Sequence, residues 1–292
     1  MLIAERGRHN VDDMDKFDAA RPVGSAFRVF TASYGGANSA LWQTARELCD
    51  EALARGLAFV AILHEAHAVA DEGLLADEDR QRAARFRHAA DRDNFVLGRT
   101  MVHHLVRQVG ISAPRAFSFA EHGKPFLPGC LAFNISHSGT WVACAVSRNA
   151  RMGIDIETFG HLEDYRALLA VVTHPNERIS IDKVVADQQG AWFKRCWTRK
   201  EAALKAIGSG LSDDLCAIDV RLDESEPVLD HPASLRLVDL LVGDEYMTAS
   251  LALDASVPGV MVMFASLGGF EDGAVCRGDP VEARMFRKFM AV

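Results

Sequence analysis

In the run Gly153-Ile154-Asp155-Ile156-Glu157, two carboxylates alternate with two isoleucines. On a β-strand this spacing turns both acids to one face, roughly 6.5–7 Å apart, and leaves the isoleucines to be buried behind them. Oxygen ligands so placed suit one hard divalent cation, Mg²⁺ or Mn²⁺, although an ordinary solvated acidic edge has the same pattern. Further along, Trp197 to Lys205 reads W-T-R-K-E-A-A-L-K, with Glu201 and Lys205 four apart on one helix face. Alone that is a surface ion pair in its favourable orientation; next to Asp155 and Glu157, Glu201 would be the third carboxylate of a metal site.

The run Phe133-Asn134-Ile135-Ser136-His137-Ser138-Gly139 crowds hydroxyls and an imidazole at a strand end. A serine hydrolase is a poor fit, because Ser136 and His137 point to opposite sides of a strand and the G-x-S-x-G elbow is missing. Contact with phosphate suits these groups better, with a hydrogen-bonded turn as the plain alternative. Glu121-His122-Gly123-Lys124-Pro125 presents one lysine on a turn. Gly208-Ser209-Gly210, the His103-His104 pair, and His64 with His67 match neither a dinucleotide fingerprint nor a zinc-protease helix, and read as structural.

Several elements must position these groups. Apolar spacing predicts an amphipathic helix over 38–55, a strand over 57–63, and one long helix or two consecutive ones over 77–109 ended by Gly110. Short strands follow at 117–120, 131–136, 140–147 and 152–157, with a turn at Gly123-Lys124-Pro125 between the first two. Mixed helix is expected over 161–187. A strong helix over 188–207 buries Phe193, Trp197 and Leu204 and is ended by Gly208 and Gly210. Segments 218–222, 234–241, 247–253 and 260–266 then read as a meander of strands. Two consecutive modules of strands and one long helix make an α+β chain rather than a doubly wound parallel sheet.

The 292 residues suffice for one large domain or two joined ones, and 49% hydrophobic with 25% charged residues is globular composition. The formal net charge of −8 argues against binding nucleic acid by electrostatics. The six cysteines are scattered without a C-x-x-C pair, so they read as reduced thiols. Residues 1 to about 24 are polar and contain no secretory h-region, which points to the cytoplasm. The uncharged stretch Ala255 to Phe270 is short of a bilayer span and contains Pro258 and Gly259, so no membrane segment is expected.

Taken in order, G-K-P, F-N-I-S-H-S-G, G-I-D-I-E and W-x-x-K-E-A-x-x-K-x-x-G-x-G-L closely resemble the motifs of the Sfp-type 4'-phosphopantetheinyl transferases. With Arg82 to Phe86 and Leu97-Gly98-Arg99, the resemblance runs from about Leu57 to Ser266. It implies an α+β fold of two similar lobes in a pseudo-twofold arrangement. The corresponding division is an N-terminal extension with a packing helix over 1–56, a first lobe over 57–150, a second lobe with the metal site over 151–267, and a tail over 268–292.

By the same resemblance, Asp155, Glu157 and Glu201 would hold Mg²⁺ (or Mn²⁺), Lys205 would sit on the phosphates, and Ser136, His137, Lys124 and Arg82 would contact coenzyme A. Glu201, Lys205 and His137 would act in catalysis, with Glu201 or a metal-bound water as base. The implied reaction is that of a holo-acyl-carrier-protein synthase type enzyme: a serine of an apo acyl or peptidyl carrier protein attacks coenzyme A, whose phosphopantetheine arm it receives. The enzyme would be a cytoplasmic monomer. Its carrier could belong to fatty-acid, polyketide, nonribosomal-peptide or siderophore synthesis. Because such carriers are acidic and this chain is too, docking would need a local basic patch, with Lys194, Arg195, Arg199 and Lys200 as candidates. A catalytically silent carrier binder and another Mg²⁺-dependent phosphotransferase are the rival readings.

Overall fold

The computed structural model describes residues 28–34, 38–68, 70–106, 116–158, 165–209, 215–230, 234–240 and 247–265. The expected stops at Gly110 and Gly210, and the extension over 1–24, lie outside these residues.

The strands are β1 (Arg28–Tyr34), β2 (Ala58–His64), β3 (Ser118–Phe119), β4 (Pro125–Phe126), β5 (Ala132–Ser138), β6 (Trp141–Ser147), β7 (Met152–Thr158), β8 (Val228–Leu229), β9 (Leu235–Leu240), β10 (Met247–Asp254) and β11 (Gly259–Ala265). The helices are α1 (Asn38–Ala54), α2 (Asp77–Ala83), α3 (Ala89–Val106), α4 (Tyr165–Val172), α5 (Pro175–Lys183) and α6 (Gln189–Ile207). One sheet has the order β1-β11-β2-β6-β5, a second the order β7-β10-β9-β8, and β3 with β4 forms a small hairpin. The second sheet is antiparallel throughout, whereas β11 runs parallel to both β1 and β2.

Strand alternation builds four layers. Phe59, Ala61 and Leu63 of β2, Val142, Cys144 and Val146 of β6, and Met261 and Met263 of β11 pack under α1 and α3, against Leu41, Ala45, Leu97 and Met101. Residues one step along, such as Val60, Ala143 and Val262, meet Ile154 and Ile156 of β7 and Ala249 and Leu251 of β10, so the two sheets share a core. The outer face of the second sheet, with Leu237 and Ala252, packs on Phe193, Ala202 and Ala206 of α6. Each lobe therefore lays a long helix over the outer face of its own sheet, the α+β two-lobed architecture expected. Among the described residues no helix is long and apolar enough to cross a membrane.

Three expectations need correction. Chain order puts Gly259–Ala265 in the second lobe, but strand pairing puts it in the middle of the first lobe's sheet, where all seven residues are buried. The first 56 residues are not merely an extension, because β1 forms the edge of that same sheet and α1 covers it. Residues 218–222 form no strand. Their backbone groups are taken by side chains instead: the Ile218 carbonyl by Lys200, the Val220 N–H by Glu177, and the Val220 and Arg221 carbonyls by Arg199. A short strand forms later, at Val228–Leu229.

Candidate active site

The site is built on the free edge of β7. Among the described residues this strand pairs only with β10, so the backbone groups on its other side have no ladder partner there. Across that edge runs β5, the edge of the first sheet, and its side chains do what a neighbouring backbone would. Asn134 Oδ1 accepts from the Ile154 N–H at 2.8 Å, and Ser138 Oγ accepts from the Thr158 N–H at 3.1 Å. From α6, Lys205 Nζ donates to the Ile154 carbonyl at 3.2 Å; from the β3–β4 turn, Lys124 Nζ donates to the Met152 carbonyl at 3.0 Å. Three motifs distant in the chain thus converge on one strand edge.

Alternation along β7 does the rest. Ile154 and Ile156 go into the core between the sheets, while Gly153, Asp155 and Glu157 face α6. Gly153 is required there: a Cβ at this position would lie 2.1 Å from the Ala202 carbonyl oxygen and 2.5 Å from the Ala206 nitrogen. With small residues on both sides, α6 rests directly on the strand. Its last turns thereby bring Glu201 and Lys205 to the acids. At its end, Gly208 takes the left-handed conformation, φ +83°, and returns its N–H to the Leu204 carbonyl.

Lys205 Nζ lies 2.6 Å from Asp155 Oδ1 and 3.0 Å from Ser136 Oγ, and Ser136 Oγ is itself 2.9 Å from Asp155 Oδ1. All three ammonium donors of Lys205 are engaged once the Ile154 carbonyl is included. Glu157 Oε2 accepts from Ser138 Oγ at 2.9 Å. Within this site two carboxylate oxygens are buried without a hydrogen-bond partner among the described residues, Asp155 Oδ2 and Glu201 Oε1. Burial, then the nearby charges of Asp155 and Glu157, push the Glu201 carboxyl above its ordinary pKa, and Lys205 offsets this only in part. The His137 imidazole, on the opposite face of β5 from Ser136, is held below its usual value by desolvation and by the Lys205 ammonium.

The structure brings Ser136, Asp155, Glu157, Glu201 and Lys205 together along β7, whereas His137 points to the other face of β5. Lys205 pairs with Asp155 of β7, rather than making the surface ion pair with Glu201 that the helix alone would allow. Arg82 is exposed on α2 with its guanidinium over the Phe95 ring, and no hydrogen bond among the described residues joins it to the acidic group. Among the described residues no three His, Cys, Asp or Glu side chains are closed around a metal position. The all-oxygen donor set and its two orphaned buried oxygens nevertheless fit a hard divalent cation.

The basic face proposed for docking does not exist as such. Lys194, Arg199 and Lys200 are buried, and Arg195 is partly buried. Arg195 and Arg199 both bond Asp239, at 2.6 and 2.8 Å, and Lys200 pairs with fully buried Glu177 at 2.9 Å. The positioning roles of Gly153, Asn134 and Ser138 were not legible from residue types; glycine immediately before the acidic alternation was the available signal.

Residues 65–149 match the family model described as 4'-phosphopantetheinyl transferase, N-terminal, and residues 151–239 match that of the 4'-phosphopantetheinyl transferase superfamily. A stretch of 159 residues, 53% of this chain, is 33% identical to the 4'-phosphopantetheinyl transferase Sfp of Bacillus subtilis (strain 168) and spans 69% of it. This chain belongs to the 4'-phosphopantetheinyl transferase superfamily. A second Bacillus subtilis 4'-phosphopantetheinyl transferase is 33% identical over 50% of this chain and 66% of its own length. The 4'-phosphopantetheinyl transferase HetI of Nostoc sp. is 30% identical over 61% of this chain and 78% of its own. The boundary between the two family models, at residues 149–151, falls immediately before β7, the edge strand that carries Asp155 and Glu157.

Proposed function

We propose that this chain transfers the phosphopantetheine arm of coenzyme A to a serine of an apo acyl or peptidyl carrier protein, with Mg²⁺ as cofactor. The observation that carries this reading is the pair of orphaned buried oxygens, Asp155 Oδ2 and Glu201 Oε1, at the acidic positions of the family motifs. Buried carboxylate oxygens left unpaired are costly, and a divalent cation offsets that cost. Asp155, Glu157 and Glu201 would hold it, with Mn²⁺ as a possible substitute. When bound, the cation supplies Lewis-acid stabilisation of the coenzyme A pyrophosphate.

The chain's own residues do the following. Lys205, now shared between Asp155, Ser136 and the Ile154 carbonyl, turns its ammonium to the transferring phosphoryl group and neutralises charge there. Ser136 and His137, at the adjoining end of β5, bind the phosphates, and Arg82 offers a guanidinium to the nucleotide end. Glu201, through the oxygen that does not serve the cation, takes the proton of the carrier serine. As the serine oxygen bonds to the β-phosphorus, the bond to the bridging pyrophosphate oxygen breaks and 3',5'-ADP leaves. Asp155, Ser136, Glu201 and Lys205 all come from one chain, so a monomer suffices. Cys49, Cys144 and Cys196 are buried free thiols, and the cytoplasm is the compartment we assign.

The test is intact mass spectrometry of an apo carrier incubated with the protein, coenzyme A and Mg²⁺. The expected result is a gain of one phosphopantetheine group that is lost with chelator or with Glu201→Ala. Coenzyme A binding without any mass gain across acyl and peptidyl carriers would favour a silent carrier binder, and absence of coenzyme A binding would overturn the reading. A gain from a different pyrophosphate donor would instead indicate another phosphotransferase.

A further inference from the structure

Lys124 is a half-buried lysine that no ion pair joins to a carboxylate among the described residues. Its ammonium donates to the carbonyl of Lys205 at 2.5 Å and to that of Met152 at 3.0 Å. Both acceptors are backbone groups that their own elements leave open. Lys205 lies in the last turn of α6, where carbonyls have no partner further along the helix. Met152 lies on the unpaired edge of β7 and immediately precedes Gly153, the point at which α6 touches the strand. The lysine therefore spans the contact between helix and strand from a third segment, the turn between β3 and β4.

We infer that Lys124 is a positioning residue: it caps the C-terminal end of α6 from a distance and clamps it to β7, setting the Lys205 ammonium and the Glu201 carboxylate against Asp155. The inference rests on the proposed transferase reading and deepens it, since the resemblance would place this lysine on coenzyme A. A cation at a helix C-terminus is stabilised by the macrodipole as well as by the carbonyls it bonds. The environment also agrees: desolvation lowers the Lys124 pKa to about 8, and no acidic side chain enters the balance. Two of the three ammonium donors are committed to the clamp, and the clamp carbonyl at Lys205 belongs to the residue whose side chain reaches Asp155.

The test compares Lys124→Met, which keeps the length of the chain without a donor, with Lys124→Gln, which keeps N–H donors without a charge. A clamp predicts that Lys124→Met loses about tenfold in kcat while the coenzyme A dissociation constant, measured by calorimetry, stays within about twofold. It also predicts faster amide exchange over Leu204–Ile207 and recovery of most of kcat in Lys124→Gln. A dissociation constant that rises more than kcat falls, equally in both variants and with amide exchange unchanged, would overturn the inference and leave Lys124 a phosphate contact. The exchange measurement reads the α6–β7 contact without any reaction, so if the wild-type protein modifies no carrier, the transferase reading fails while the clamp is still decided by exchange.

Discussion

Asp155 and Asp239 stand in one cross-strand row of the second sheet, with Ser250 of β10 between them, and α6 lies over all three. Their environments are opposite. Asp239 is saturated: Oδ1 accepts from Arg199 and Ser250, and Oδ2 from Arg195 and Arg199. Burial alone would raise its pKa, but Arg199 and Arg195 outweigh it and hold the carboxyl at about 2. Asp155 has one oxygen served by Lys205 and Ser136 and the other buried with no partner, beside a Glu201 that is also incomplete. Along a single helix, one end of the row is closed by two guanidiniums around one carboxylate and the other is left with excess carboxylate. The closed end holds the helix down; the open end is where we propose a cation.

That contrast predicts different losses from similar changes. The largest is for Asp239→Ala, which leaves two guanidiniums buried without their counter-charge and should cost about 3–5 kcal/mol in denaturant unfolding. For the same carboxyl the folded pKa is depressed, so its stabilisation is complete above the unfolded value near pH 4 and is lost as pH falls toward 2. Wild-type stability should therefore decline through that window, and a loss shifted toward neutrality would show that Asp239 does not anchor the helix.

Glu201→Ala should do the reverse. Removing a carboxyl whose ionised form is opposed by burial and by Asp155 should leave stability at pH 7 equal or higher, while transfer falls on the order of a hundredfold to a thousandfold. Mg²⁺ should raise the wild-type Tm and not that of the variant, since a ligand stabilises only a state that binds it. A variant that unfolds more readily yet still transfers would place Glu201 with Asp239 as structural.

Gly153→Ala tests the contact that holds the open end together. Its Cβ would meet the α6 backbone, so about 3 kcal/mol of destabilisation is expected, with transfer lost because Glu201 and Lys205 move off the strand. Unchanged activity would mean that α6 need not touch β7. The smallest effect is for Ser138→Ala, which removes the hydroxyl from Glu157 and from the Thr158 N–H. Here the Mg²⁺ concentration for half-maximal activity should rise about tenfold with little change in kcat at saturation, the pattern of a group that orients a ligand.

The local signals that proved legible were those of period and punctuation. Alternation in 152–157 marked β7, and the apolar stripe ending at Gly208 marked α6 to within one residue. The basic run from Lys194 to Lys200 looked like a local basic patch because its counter-charges, Glu177 and Asp239, are remote in sequence. In the folded chain they are the neighbours that bury it. Residues 218–222 had the composition of a strand, yet their carbonyls were claimed by Arg199 and Lys200, whose reach no strand propensity contains.

By itself the sequence determined the chemistry on offer: three carboxylates, a lysine and a serine hydroxyl, on strands and a helix whose periods say which face each occupies. Residue type and local period are properties of a short stretch of chain, so they can be read there. Only the tertiary structure decided which charges would be neutralised and which left open. It did so by inserting β11 between β1 and β2, by laying β5 along the unpaired edge of β7, and by letting α6 settle on Gly153. Charge balance and metal affinity depend on what lies within a few ångströms in space, and for Asp155 and Asp239 those neighbours come from β5, α6 and β10, brought together only by folding.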